Sequence, residues 1–212
     1  MATMTKKQSV FRRAHIVVSC VRVRAARTSV QTRMRIAALC VLALVFVSAL
    51  LAQPVLKLVF PLKYADAIEK NAARFNVDPF LVMGIISAES GFRADVSSHR
   101  NAKGLMQLKE DTAAWCVEQF GLSADAANLF DPETNITIGC SYLEYLIDLF
   151  YGDVETALAA YNAGLGNVRK WLSDPSYSDD GKSLKQIPFS ETANYVKTVA
   201  RRRAVYQNLY ET

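Results

Sequence analysis

The sequence has few of the residues that build disulfide scaffolds or histidine metal sites. Its 212 residues include four cysteines and two histidines, and so few cysteines exclude a fold built on disulfides. No repeat of fixed period is present, which excludes a solenoid. A hydrophobic content of 51% excludes a disordered chain. Strong strand alternation is also missing, so one helical globular domain with an appendage is the expectation.

Acidic residues are absent from the first 63 positions, and this absence divides the chain. The segment 1–35 is a basic arm with nine lysines and arginines. Residues 64–212 carry 14 basic and 20 acidic residues, so the net charge of +5 is an N-terminal excess. Because the arm adjoins no domain that could position it on a nucleic acid, no nucleic-acid partner is expected.

A long uncharged run follows the basic arm. Residues 36–52 contain no charge, and the apolar character continues to position 60. A membrane-spanning helix needs roughly 17 to 25 such residues. We therefore assign 36–60 to a single transmembrane anchor in the cytoplasmic membrane. The positive-inside rule then places the arm 1–35 in the cytoplasm and the domain 64–212 outside it.

The same run also has features of a secretory signal peptide. Its small residues Val47-Ser48-Ala49 are a tolerable cleavage site, and cleavage there would release a secreted domain. An anchor and a cleaved signal are therefore both open interpretations.

Residues 64–212 predict a mainly α domain. Asp78 and Asp131 each precede a proline, which is typical of an N-cap followed by the first helical position. Asp153 is expected to cap a third helix, and Ser190 to begin the last. Residues 80–88 are almost wholly apolar, so this helix should be buried on all sides.

Two cysteines lie in this domain, on the side of the membrane where disulfides persist. A bridge between Cys116 and Cys140 would contribute roughly 3 kcal/mol. Two buried free thiols are the alternative. No histidine accompanies the pair, so neither a metal site nor a cofactor is predicted.

Glu89 is the candidate catalytic residue, because it stands where the apolar helix enters a glycine-containing turn. Partial burial raises the pKa of a carboxyl group, which suits a general acid near neutral pH. No second carboxylate near Glu89 in the sequence is an obvious partner for it. Asp95 is expected in a turn, and Glu191 as a hydrogen-bonding residue.

Five short blocks occur in an order that resembles the soluble lytic murein transglycosylase family. The resemblance spans about residues 77–206 and implies a lysozyme-like, goose-type fold for the catalytic domain 64–212. The blocks are ESGF at 89–92, GLMQL at 104–108 with Thr112-Ala113, Asn135 with Gly139 and Tyr142-Leu143, AYNAG at 160–164 with Gly166-Asn167-Val168, and ETANYV at 191–196.

The resemblance implies cleavage of the β-1,4 bond between N-acetylmuramic acid and N-acetylglucosamine in peptidoglycan, with a 1,6-anhydro product. Glu89 would act first as acid and then as base. The other implied site residues are Ser90 supporting the glutamate, Met106 and Gln107 lining the sugar groove, Tyr161 and Asn162 forming its floor, and Glu191 and Tyr195 completing its wall.

Two other functions remain open on the same fold. A hydrolytic muramidase would use water as the nucleophile. A non-catalytic peptidoglycan-binding scaffold, for example in a cell-wall or secretion apparatus, would keep the groove without turnover.

Some positions depart from the family pattern or allow two interpretations. The proline usual after GLMQL is missing, and Asp111 is expected to cap the following helix in its place. Asn101 occupies a position where glycine is common in the family that the sequence resembles. Trp115 and Trp171 could either stack on sugars or pack in the core.

Overall fold

The computed structural model describes residues 4–211, with side chains from Val30 onward. The chain divides into two compact units between Val55 and Leu56, and each is described by itself. Within the described residues the chain forms eight helices and one two-stranded sheet. The elements are α1 (Met4–Val59), α2 (Ala65–Arg74), α3 (Pro79–Glu89), β1 (Ala102–Lys103), β2 (Leu108–Lys109), α4 (Glu110–Phe120), α5 (Pro132–Leu149), α6 (Val154–Ala163), α7 (Leu165–Leu172) and α8 (Ser190–Tyr210).

Helix α1 contains the apolar run. Within its segment Val30–Val59, the most apolar stretch of 18 residues has a mean hydropathy of 2.6 and is not buried, and the segment is long and apolar enough to cross a membrane. The helix ends one residue before the predicted end of the anchor at position 60. The side chains of the basic arm lie mostly outside the described residues.

Helix α8 begins at Ser190 as predicted, and three further helices of the second unit begin directly after the aspartates predicted to cap them. In each of these three, an aspartate side chain accepts a hydrogen bond from a main-chain nitrogen in the first helical turn, which satisfies one amide that the helix itself cannot pair. The bonds run from Phe80 to Asp78 (2.8 Å), from Thr134 to Asp131 (2.8 Å) and from Thr156 to Asp153 (2.7 Å).

Helix α3 is the centre of the core. Its residues 81–86 are all buried, which confirms the prediction for that stretch. It packs mainly against α8 and also against α2. The last turn, 87–89, is only half-buried. Glu89 therefore stands where the helix leaves the core.

The start of α4 differs from the prediction that Asp111 caps this helix, because the segment 102–109 leads into it. This segment forms a short antiparallel pair in which Ala102 faces Lys109, and β2 leads directly into α4. Lys109 occupies the N-cap position, and no side chain caps this helix. The expectation that Asp111 caps it is wrong, because the helix begins earlier. Asp111 lies in the first turn instead, where a negative charge interacts favourably with the helix dipole.

Candidate active site

Glu89 ends α3 beside an open cleft. Burial raises the pKa of its carboxyl group to about 7, and the neighbouring Tyr195 hydroxyl opposes part of that rise. A carboxyl group with such a pKa is substantially protonated near neutral pH. It can therefore donate a proton there and serve as a base once it has done so.

Tyr195 of α8 is a polar neighbour of this carboxyl. Its hydroxyl is buried and forms no well-aligned hydrogen bond with any of the described groups. It lies near enough to Glu89 to stabilise the carboxylate and so lower the pKa of that group. Burial first, and the charge of Glu89 second, raise the pKa of Tyr195 well above its usual range. Tyr195 thus remains a neutral donor.

The cleft has a volume of about 330 Å³. Of the eight residues expected at the site, five line the cleft. Ser90, Met106 and Tyr195 do not. Among the other residues lining the cleft are His99 and Arg100 from the loop before β1, Thr112 of α4 and Tyr142 of α5. The five expected residues in the wall are Glu89, Gln107, Tyr161, Asn162 and Glu191.

Ser90 and Met106 lie below the cleft surface, so the Met106 side chain does not line the groove as the resemblance implies. The Ser90 hydroxyl is buried and donates to the Ile86 carbonyl (3.1 Å), which satisfies a carbonyl in the last turn of α3. The Met106 side chain is fully buried. It packs so closely on Gly139 of α5 that a Cβ there would come within 2.2 Å of its sulfur. Both residues therefore support the site from beneath.

The loop that carries Met106 is held by one buried side chain, that of Asn135 in α5. Its oxygen accepts from the Met106 main-chain nitrogen (2.8 Å), and its nitrogen donates to the carbonyls of Leu129 (2.8 Å) and Lys103 (3.0 Å). Gly104 crosses directly over this amide with a φ of 77°, and a Cβ at that position would come within 2.3 Å of the Asn135 nitrogen. A side chain at position 104 would therefore displace the loop.

Gln107 presents its amide to the cleft in a defined orientation. Its backbone is left-handed, with a φ of 49°. The side-chain nitrogen donates to the carbonyls of Gly104 (2.9 Å) and Val96 (3.2 Å). Because both partners are acceptors, the amide oxygen remains for a ligand that donates a hydrogen bond.

Two residues of α6 form the opposite part of the cleft. The Tyr161 hydroxyl donates to the Met106 carbonyl (2.9 Å), which joins α6 to the loop 104–108. The Asn162 oxygen accepts from the buried Thr192 hydroxyl (2.8 Å). Burial first and Glu89 second raise the pKa of Tyr161 well above its usual range. Tyr161 is therefore another neutral group beside the acid.

Glu191 lies in the first turn of α8, at the edge of the cleft. It pairs with Arg100 at 3.6 Å, and both side chains are largely exposed. An exposed ion pair contributes little stability. Glu191 is thus a solvated rim residue, whereas Glu89 is half-buried.

The two cysteines of the domain are free thiols in the structure, and both are buried. The structure therefore has two buried free thiols and no Cys116–Cys140 bridge. Burial raises the pKa of the Cys116 thiol to about 12 and raises that of Cys140 as well. Among residues 30–211, no group of three or more metal-ligating side chains is assembled.

Comparison with known proteins identifies the family. Residues 66–183 match the model of the transglycosylase SLT domain. The chain belongs to this family. It is 38% identical over 151 residues to a soluble lytic murein transglycosylase of Escherichia coli, a match that covers 70% of this chain and 23% of the relative. A membrane-bound lytic murein transglycosylase C of Yersinia pestis is 35% identical over 132 residues, 58% of this chain and 36% of the relative.

Solved SLT-family structures share the fold. An inactive mutant of the lytic transglycosylase Slt of Pseudomonas aeruginosa superimposes with a TM-score of 0.64 at 33% identity, covering 72% of this chain and 25% of that one. A 70-kDa soluble lytic transglycosylase in complex with bulgecin A superimposes with a TM-score of 0.66 at 35% identity, covering 74% of this chain and 26% of that one. The predicted helical transglycosylase fold is confirmed. The chain spans only about a quarter to a third of the length of these relatives.

Proposed function

We propose that this protein is a membrane-anchored lytic transglycosylase of peptidoglycan. It cleaves the β-1,4 bond between N-acetylmuramic acid and N-acetylglucosamine and leaves a 1,6-anhydro end. The observation that carries the proposal is Glu89, a half-buried carboxyl with a pKa of about 7 in the wall of a cleft. The other carboxylate of that wall, Glu191, is exposed and paired with Arg100.

One carboxyl group can perform both proton transfers. The protonated Glu89 donates to the glycosidic oxygen, and the bond from C1 of the muramoyl sugar to that oxygen breaks. The resulting carboxylate then takes the proton of the C6 hydroxyl as this oxygen bonds to C1. The attacking hydroxyl belongs to the same sugar, so proximity provides much of the rate enhancement. The reaction consumes no water and requires no second carboxylate.

Neighbouring groups support this cycle. The neutral Tyr195 hydroxyl can donate to Glu89 when the carboxylate forms, which stabilises the charged half of the cycle. The amide oxygen of Gln107 and the side chain of Asn162 offer hydrogen-bonding groups for sugar hydroxyl and acetamido groups. These groups are held by protein contacts before substrate arrives, and such preorganisation favours catalysis.

The names of the relatives agree with the proposal. The relatives are called soluble or membrane-bound lytic murein transglycosylases. The Pseudomonas aeruginosa enzyme is described as inactive when one glutamate is replaced by glutamine. This is the result expected of an enzyme that depends on a single acid.

The experiment is mass spectrometry of the fragments released from purified peptidoglycan by the full chain in detergent micelles. The Glu89→Gln variant is run beside it, and Glu118→Gln, at an exposed position of α4, is the matched control. Anhydro ends released by the wild type and the control, but not by Glu89→Gln, would support the proposal. Ends heavier by one water would show a muramidase. Binding without release would show a scaffold.

We propose in addition that α1 is a single-pass anchor with its N-terminus in the cytoplasm. Its support is the apolar segment Val30–Val59 preceded by basic residues. A tag at the N-terminus should resist protease added to spheroplasts, while the domain 64–212 should be digested. The intact mass of the membrane-bound protein distinguishes an anchor from a cleaved signal.

A further inference from the structure

Aromatic rings continue from the cleft wall to the protein surface. Tyr161 and Tyr142 both line the cleft, with ring centroids 5.5 Å apart. Tyr142 stacks on Tyr145 at 6.5 Å and 20°. Tyr145 in turn contacts Trp115 at 5.0 Å. The four rings connect the catalytic cleft with the outer face of α4.

The helical register explains this continuity. Thr112 of α4 and Tyr142 of α5 line the cleft. Trp115 and Tyr145 follow these residues by three positions, and residues three apart lie on the same face of a helix. Both helices therefore place an aromatic residue one turn beyond the end of the cleft.

Trp115 is exposed, yet its neighbours fix its orientation. Its side chain is 36% exposed, whereas Trp171 is 7% exposed and packs against Phe189. Edge contacts with Phe120 at 5.5 Å and Tyr145 at 5.0 Å hold the Trp115 ring. Trp171 is thus a core residue, and Trp115 presents an ordered apolar surface to solvent.

The charge of the surrounding helices restricts the ligand. Neither α4 nor α5 contains a lysine or an arginine. A nucleic acid or an anionic lipid surface requires such cations. A sugar ring has one face of C–H groups that can pack on an aromatic ring, and this contact needs no cation. The surface therefore suits a neutral amino sugar.

We propose that Trp115 and Tyr145 form a further saccharide-binding subsite, which holds a sugar of the same glycan strand one turn of helix beyond the cleft. This inference rests on the proposed function for the identity of the ligand. A glycan strand is a polymer that extends out of the cleft, and the rings from Tyr161 to Trp115 provide it a continuous apolar path. The subsite contributes affinity for long strands and leaves the chemistry at Glu89 unchanged.

Tryptophan fluorescence tests binding without turnover. The chain has two tryptophans, so Trp171→Phe leaves Trp115 as the only tryptophan, and Glu89→Gln prevents cleavage. The full chain in micelles is titrated with peptide-free glycan strands of eight or more sugars and with the disaccharide. Emission should shift to shorter wavelength with the strands and stay constant with the disaccharide. Unchanged emission at strand concentrations that saturate binding in a pull-down would overturn the subsite.

Kinetics on the active protein provide a second measurement that does not require Trp171→Phe to fold. Trp115→Ala should raise KM for long strands by about 2- to 12-fold, the range of a single aromatic contact. Values of kcat, and kcat/KM for a tetrasaccharide, should not change. Tyr151→Asn is the control, because this aromatic is 78% exposed outside the cleft and asparagine tolerates its left-handed backbone.

The two tests separate the subsite from the proposed function. Equal losses on long and short strands would contradict the subsite and leave the transglycosylase intact. A wild type that cleaves no strand, with Trp115 emission still responding to strands, would contradict the function and retain the subsite as a binding site.

Discussion

The side-chain oxygen of Asn135 accepts a hydrogen bond of 2.8 Å from the main-chain nitrogen of Met106. Asn135 is fully buried in α5, and its nitrogen satisfies the carbonyls of Leu129 and Lys103. One side chain therefore joins α5, the loop before it and the loop 104–108 that lines the cleft. The position of Gln107 beside the acid depends on this contact.

Asn135→Ala should destabilise the domain by about 3 kcal/mol, because it leaves one buried amide and two carbonyls without their partner. The melting temperature measured by circular dichroism checks this, with Asn128→Ala at an exposed position as the control. Hydrogen exchange at the Met106 amide should accelerate in the first variant only. An unchanged exchange rate would mean that the bond does not hold the loop.

Gly139→Ala should also destabilise the domain, by about 1 to 3 kcal/mol, the usual cost of overpacking. The added methyl group would meet the Met106 sulfur at 2.2 Å. The control is Gly166→Ala, where a Cβ meets nothing within 4 Å. Combining Gly139→Ala with Met106→Ala should cost less than the sum of the single changes. Simple additivity would show that the two residues do not compete for this space.

The pH dependence of cleavage should follow Glu89. The free enzyme must begin protonated, so kcat/KM should fall tenfold per pH unit above about 7, the pKa of this carboxyl. Tyr195→Phe removes a donor that stabilises the carboxylate, so the fall should begin at higher pH in that variant. A profile that does not move in Tyr195→Phe would contradict the interaction between the two residues.

Stability should depend on pH through the same carboxyl. Its folded-state pKa is raised from 4.5 to about 7, so its contribution is fully present below pH 4.5 and is lost as the pH rises through 7. Above that pH, Glu89→Gln should be more stable than the wild type by up to ~3 kcal/mol. Melting temperatures of both proteins at pH 4.5, 6 and 8 check this. A constant difference across the three pH values would contradict it.

The buried thiols should be unreactive in the folded protein. Burial raises the pKa of Cys116 to about 12, so almost no thiolate is present at pH 8. In a Cys20→Ser, Cys40→Ser variant, iodoacetamide should label neither remaining cysteine until the chain is unfolded, and then both. Mass spectrometry counts the labels. An unfolded chain that stays unlabelled without reductant would show a Cys116–Cys140 bridge.

Local features of the sequence were enough to predict where three helices begin. Asp78, Asp131 and Asp153 cap helices through amides two or three residues away, and such contacts depend on neighbouring residues only. The start of α4 could not be predicted in this way. It is decided by β2, which pairs with β1, so that Asp111 lies inside the helix.

The sequence by itself determined that an acid stands at the end of an apolar helix, beside motifs of the SLT family. Only the tertiary structure decided which motif residues face the cleft. Met106 and Gln107 are neighbours, yet one is buried against Gly139 and the other lines the wall. Their loop is held by Asn135 and Tyr161, 29 and 55 positions along the chain from Met106. Contacts between such distant residues arise only when the helices pack together.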